Sequence, residues 1–135
     1  MKHHLQLAVG LILISVATSN CSRHAMTGEQ MEQLMIAEVP VGSDAPRVIA
    51  FLDGRHISHS DIVQLDEDDR ARPDTLLSNP KLDSVRDRIR SYIPALMRDV
   101  GGPGFLTRWD IMIRFYLDAD GKVVAHQAKR VGTSL

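Results

Sequence analysis

The most regular pattern of apolar and polar residues lies near the end of the chain, in residues 109–117. Every second residue there is Trp, Ile, Phe or Leu, and the residues between them are Asp110, Met112, Arg114 and Tyr116. This period of two, rich in aromatic and β-branched side chains, predicts a half-buried strand. Glycines at 101, 102 and 104 predict a turn before it, and Asp-Ala-Asp-Gly at 118–121 predicts a tight hairpin turn after it. Residues 123–131 then return as the next strand of an antiparallel meander.

Two short helices are predicted before this sheet. Thr27 and Gln30 have the spacing of a capping box, and apolar residues at 31, 34 and 35 predict a helix over 28–37. Val-Pro-Val-Gly at 39–42 ends it. Ser43 or Asp44 caps a second helix, which tolerates a proline in its first turn, carries apolar residues at 48, 49 and 52, and ends at Gly54.

The middle of the chain is less regular. Residues 56–65 alternate moderately and predict a first strand, whereas 66–80 are polar and proline-bearing and predict a long surface loop. Apolar residues at 82, 85 and 89 predict a short helix over 81–90, begun by Asn79 and Pro80. Residues 92–100 predict another strand.

These elements predict an α+β fold, with two N-terminal helices packed on an antiparallel meander of three to four strands. We expect one domain over residues 28–135, with a loop and short helix at 66–90 as an insertion. Its length is enough to bury a core without disulfides, which a single cysteine could not form internally.

The first residues have the layout of a bacterial export signal. Lys2 and two histidines precede an almost wholly apolar run from Leu5 to Ala17, followed by small and polar residues. This run is too short to cross a bilayer, which takes about 20 helical residues. We therefore interpret residues 1–20 as an export signal and 21–27 as a tether, and expect no transmembrane span in the mature chain.

Cys21, the only cysteine, has two interpretations. A lone cysteine just after such a run is typical of a lipoprotein precursor, in which it becomes the lipidated first residue. Thr18 and Asn20 stand where the lipobox has a Leu-like residue and a small residue. In the alternative, an ordinary signal peptidase cuts after Ala17, where Ser-Val-Ala has the small-x-small pattern, and Cys21 remains an unpaired thiol in the tail.

Charge and motifs exclude several classes of function. Loss of residues 1–20 removes Lys2 and no acid, so the net charge moves from −1 to −2, which excludes a strong electrostatic case for binding nucleic acid or an anionic membrane. The chain has no Gly-x-Ser-x-Gly elbow and no phosphate-binding glycine loop. We therefore expect no enzyme activity and no cofactor, although His126 has the choice of Asp110 or Asp118 as a partner across strands.

Three segments of the chain have residues that can bind metals, and each has a simpler interpretation. Asp118-x-Asp120-Gly121 resembles part of a calcium loop, but Gln127 stands where that loop has its glutamate, so a hairpin turn is favoured. The acidic run 66–69 is typical of a solvated loop. His56 and His59, three apart on a predicted strand, would point to opposite faces. We expect no metal site.

From Val39 onward the chain resembles a group of small bacterial envelope proteins. The segments that carry this resemblance are Val39-Pro-Val-Gly-x(5)-Val48-x(3)-Leu52, Met97-Arg-Asp-Val-Gly101, Ile111-x-Ile-Arg-Phe-Tyr-Leu-Asp-x-Asp-Gly121 and Lys129-Arg-Val-Gly-Thr133. The first is similar to the helix entry of the SmpA/OmlA (BamE) lipoproteins and of β-lactamase-inhibitor-like domains. The resemblance implies two helices against an antiparallel sheet of three or more strands, from which the 66–90 insertion departs.

We expect an exported protein on the periplasmic side of a bacterial envelope, anchored to a membrane if Cys21 is lipidated. The first hypothesis is a non-enzymatic accessory module that binds an envelope protein. The alternatives are a small-ligand-binding or inhibitor domain of the same fold, and a hydrolase with an unrecognised site. The candidate protein-binding face is the polar row Asp110, Met112, Arg114 and Tyr116, because Tyr, Met and Arg are enriched at interfaces; simple solvent exposure of that row is the alternative.

Overall fold

The computed structural model describes residues 26–71 and 79–134. The predicted export signal, Cys21 and most of the tether lie outside these described residues. Within them no helix has the length and apolarity needed to cross a membrane.

Both predicted helices are confirmed. Helix α1 spans Gly28–Glu38 and begins with the predicted capping box, in which Thr27 Oγ1 accepts from the Gln30 amide at 3.0 Å and the Thr27 amide donates to Gln30 Oε1 at 2.9 Å. Helix α2 spans Ala45–Gly54. Of its two candidate caps, Asp44 is the one used, since its carboxylate accepts from the Arg47 amide at 3.1 Å.

The strands form one antiparallel sheet with β3 and β4 at its centre. They are β1 (Ser58–His59), β2 (Val63–Gln64), β3 (Ser91–Met97), β4 (Thr107–Leu117) and β5 (Val123–Ser134). Both β1 and β2 pair with one edge of β3, followed by β4 and then β5. The α+β fold with its terminal meander is confirmed. The strand predicted over 56–65 is two separate two-residue strands joined by a loop.

The alternation in β4 separates the two faces of the sheet as predicted. Its odd-numbered residues from Ile111 to Leu117 face the helices and are buried, and Trp109 is half-buried. Helices α1 and α2 fill this inner face with Met31, Met35, Val48, Phe51 and Leu52. The rings of Phe51 and Phe115 meet edge to face at 5.9 Å between centroids.

The 66–90 insertion covers part of the other, outer face. A one-turn helix, α3, spans Glu67–Ala71, and two 3₁₀ turns span Pro80–Leu82 and Arg86–Arg88. The helix predicted over 81–90 is therefore wrong in type, because the backbone leaves helical geometry at Val85 (φ −122°, ψ −4°). Its apolar residues nevertheless pack, and a second buried cluster forms from Leu82, Ile89, Tyr116 and Val124.

Candidate functional site

The candidate site is the uncovered half of the outer sheet face, centred on Met112. Residues directly opposite each other on neighbouring strands share a face. Ser58 pairs with Leu96, Leu96 with Met112, and Met112 with Lys129. These four side chains therefore form one row across four strands of the sheet.

An open apolar trough of about 410 Å³ lies along this row. Most of its lining is apolar and lies on the outer faces of the three long strands, with a wall from β1, whereas Ala95 belongs to the inner face, where it pairs with Ile113. The residues that line it are Ser58, His59, Ser60, Pro94, Ala95, Leu96, Met112 and Val131. Met112 retains 38% of its surface exposed at this point. A large, flexible thioether in an apolar depression can adapt its shape to another surface.

A polar border separates the trough from the covered half of the face. Gln127 Oε1 accepts a hydrogen bond of 2.6 Å from the Tyr116 hydroxyl and one of 3.4 Å from Arg114 Nη1. Burial raises the pKa of the Tyr116 hydroxyl above its usual range, so this group stays protonated and remains a donor at neutral pH. The border holds Arg114 beside the trough.

The structure places the four predicted face residues on one side of β4, but it does not leave them equally accessible. Met112 is exposed and Arg114 is half-buried. Tyr116 is fully buried under the insertion, so the alternative prediction of simple solvent exposure is wrong for this residue. Asp110 is also buried. Its Oδ1 accepts from the Asp99 amide at 3.1 Å, and its Oδ2 lies 3.5 Å from Arg108 Nη2. A partner could reach Met112 and Arg114 directly.

The trough lining contains residues that the sequence reasoning missed, above all Pro94 and Leu96. A signal for them exists in β3, whose sequence Ser-Tyr-Ile-Pro-Ala-Leu-Met is apolar on both faces. A strand that is apolar on both faces predicts contact on both sides of its sheet. The insertion covers one end of the outer face of β3, and Leu96 remains in the open trough at the other end.

His59 stands in the wall of the trough and pairs with Asp53 at the end of α2. Its Nε2 donates to Asp53 Oδ1 at 2.9 Å, and its Nδ1 faces the main-chain oxygen of Ser60 at 3.2 Å. The hydrogen bond with Asp53 and then that with Ser60 raise the pKa of His59. Both partners are acceptors, so this geometry favours the protonated ring, which donates from both nitrogens. In that form His59 has no lone pair with which to take a proton from Ser58 or Ser60.

The other candidates for chemistry have structural roles. His126 lies on the inner face, where its Nε2 is 2.5 Å from the main-chain oxygen of Val39. Pairing of His126 with Asp110 is therefore wrong, since Asp110 lies on the opposite face, and Asp118 is engaged elsewhere. Asp118 Oδ1 accepts from the amides of Asp120 and Lys122 at 2.9 and 3.0 Å, which confirms the hairpin turn. Among residues 26–71 and 79–134, no three potential metal ligands of the His, Cys, Asp or Glu type cluster together.

Comparison of the chain with protein-family models, with curated proteins and with solved structures found no match.

Proposed function

We propose that this chain is an exported envelope protein, anchored through Cys21, that binds a partner protein at the trough around Met112. The observation that carries the proposal is an apolar sheet surface left uncovered at one end of the outer face, although the insertion covers the other end of the same face. The trough has an apolar floor and a rim of Ser58, His59 and Arg114, which is the common anatomy of a protein interface.

The shape of the trough favours a protein over a small ligand. Sites for small molecules are concave and typically enclose about 70–90% of the ligand surface. The trough is bounded by a β1 wall on one side, while Val131 and Lys129 on the other side belong to the outer face of β5, the edge strand of the sheet. A protein surface can cover such an open depression, whereas a small molecule would remain largely in water.

The charges beside the trough indicate the chemistry of the partner. A smaller depression of about 30 Å³ adjoins the trough through Met112 and is lined by Arg114, Gln127 and Lys129. Arg114 is half-buried and Lys129 is exposed. Opposite charges across an interface favour the correct register and speed association. The partner is therefore expected to place an apolar side chain over Met112, with a carboxylate close to Arg114 or Lys129.

The anchor and the location rest on the sequence. The apolar run Leu5–Ala17 and the lone Cys21 support export and lipidation, and the resemblance to envelope lipoproteins agrees with both. Intact-mass analysis of the membrane fraction tests this part of the proposal. A chain that begins at a triacylated Cys21 supports it, and a soluble chain that begins at Thr18 overturns it.

A single charge in the trough tests the binding surface. Met112→Glu places a carboxylate in the apolar floor, and Ile36→Glu is the matched control, because Ile36 is a similarly exposed apolar residue on α1, on the other side of the sheet. Each variant is purified from detergent-solubilised envelopes after its thermal unfolding has been compared with that of the wild type. We expect Met112→Glu to lose the envelope proteins that co-purify with the wild type and Ile36→Glu to keep them. Retention of every partner by Met112→Glu would refute the trough as the binding surface.

A further inference from the structure

The loop between β3 and β4 exposes two adjacent apolar side chains. Phe105 is 93% exposed and Leu106 is 58% exposed. Single exposed apolar residues are common on protein surfaces, but a neighbouring pair at the tip of a loop offers a compact apolar wedge. This loop contributes no residue to the lining of the trough around Met112.

The loop has a fixed base. Trp109 Nε1 donates to the main-chain oxygen of Pro103 at 2.8 Å, and the indole lies so close to Gly102 that a Cβ there would come within 2.4 Å of Trp109 Cδ1. Gly104 has φ +87°, a conformation that favours glycine. These contacts hold the base of the loop against Trp109 of β4.

The described chain begins at this same end of the sheet. The Met26 amide donates to the main-chain oxygen of Val100 at 3.3 Å, immediately before the loop. Cys21 precedes Met26 by five residues. Since a chain extends at most about 3.3–3.6 Å per residue, five residues can span no more than about 18 Å. Acyl chains on Cys21 would keep this end of the domain close to the bilayer.

Arginines flank the exposed tip. Arg98 and Arg108 are exposed on either side of the loop, and Asp99 is an exposed acid between them. The guanidinium of Arg130 lies 4.8 Å from the centre of the Trp109 ring. Arginine binds phosphate groups in a bidentate manner, and tryptophan favours the membrane–water interface. This composition suits a phospholipid headgroup layer.

We infer that the 101–106 loop docks on the membrane surface, with Phe105 and Leu106 inserted among the lipids and Arg98 and Arg108 at their phosphates. This inference rests on the lipid anchor of the proposed function. It orients the domain, because β4 leads away from the loop and rises about 3.3 Å per residue. Met112 and the trough would then stand about 16–20 Å above the bilayer surface, open to a partner alongside.

Cysteine labelling of the full chain, isolated from membranes and reconstituted in vesicles, tests this orientation. Because acylation consumes the thiol of Cys21, a Phe105→Cys variant has one reactive thiol for an environment-sensitive maleimide fluorophore. Val41→Cys is the matched control, since Val41 is 61% exposed and its neighbour Gly42 donates to the main-chain oxygen of Val123, at the opposite end of the sheet. The vesicles contain phosphatidylcholine mixed with phosphatidylglycerol, or phosphatidylcholine alone, and no other protein.

We expect a blue-shifted emission, quenched by lipid-borne nitroxides, for the label on Phe105→Cys and not for that on Val41→Cys. The shift should be larger on vesicles with phosphatidylglycerol, and equal shifts would overturn the contact of the arginines with anionic lipid. If the protein floats with the vesicles while the Phe105→Cys label remains in water, the docking of the loop is overturned and the lipid anchor is still supported. Failure to float, together with labelling of Cys21 itself, overturns the anchor and the orientation that rests on it. A shift that appears on addition of membrane protein, but not with pure lipid, assigns the loop to a protein partner instead.

Discussion

Helix α1 and strand β5 come into close contact where Gly28 meets Ala128: a Cβ on Gly28 would lie 2.8 Å from the main-chain oxygen of Ala128. The neighbouring backbone of Lys129 and Arg130 would lie 3.2 and 3.1 Å away. The glycine thus sets the distance between the helix and the sheet, since backbone atoms cannot rotate aside as a side chain can.

Gly28→Ala should therefore destabilise the protein although alanine is the better helix former. We expect a loss of about 1–3 kcal/mol from overpacking, measured by urea denaturation. Gly54→Ala is the matched control at the end of α2, where nothing lies within 4 Å of the added Cβ. Its effect should range from neutral to a gain of up to about 1 kcal/mol. Equal effects of the two substitutions would contradict the close approach.

The two faces of β4 should respond differently to truncation. Ile113 is 1% exposed and packs under the helices, so Ile113→Ala should cost about 2–5 kcal/mol. Met112→Ala, one residue away on the open face, should change stability by no more than about 0.5 kcal/mol. Denaturant melts that ranked these variants in the reverse order would mean that the register of the strand is wrong.

Tyr116 joins the trough border to the outer cluster. Tyr116→Phe removes its hydrogen bond to Gln127 and should cost about 0.5–1.5 kcal/mol. Tyr116→Ala also empties a fully buried site and should cost about 3–5 kcal/mol in the same melts. Similar losses for both variants would show that the ring does not support the cluster. Because of this burial, Tyr116 is unsuitable for a surface variant meant to test partner binding.

The pair Asp53–His59 should make stability depend on pH. Its hydrogen bonds raise the pKa of His59, so the pair stabilises the fold fully below the pKa of an unfolded histidine, about 6.5. That contribution is lost as pH rises through the higher folded pKa. NMR titration of the His59 ring should show the raised pKa, and Asp53→Asn should lower it. The stability difference between wild type and Asp53→Asn should shrink from about pH 6 upward, and a constant difference would contradict the ion pair.

The Asp110 carboxylate should stabilise the loop before β4 rather than bind a partner protein. Asp110→Ala leaves the Asp99 amide without its side-chain acceptor and should cost about 1–3 kcal/mol, whereas Asp110→Asn keeps an acceptor oxygen and should cost less. Faster hydrogen exchange at Asp99 in the alanine variant would identify the cause. Asp120→Ala, at an exposed turn position, is the control and should change stability little. Loss of partners from Asp110→Asn without a change in stability would show that the carboxylate is part of the interface.

Much of the fold follows from local sequence. The capping box at Thr27, the Asp44 cap and the alternation around Ile113 each depend on residues within one turn or a few strand positions, and each is found where the sequence predicts it. The prediction of an α-helix over 81–90 was wrong because the apolar spacing of Leu82 and Ile89 suits both an α-helix and two separate 3₁₀ turns. Packing against Tyr116, rather than helix propensity, holds that segment in place.

The sequence by itself determined which residues of β4 share a face, because side chains alternate across any strand whatever surrounds it. Only the tertiary structure decided which part of the outer face stays open. Ile89 packs with Tyr116 and covers one end, whereas at the other end Ser58 of β1 pairs with Leu96 and Met112 remains exposed. Likewise, the hydrogen bond between Met26 and Val100 brings the start of the described chain to the Phe105 loop. Such contacts join residues far apart in the chain, and their existence depends on the packing of the whole domain rather than on any local pattern.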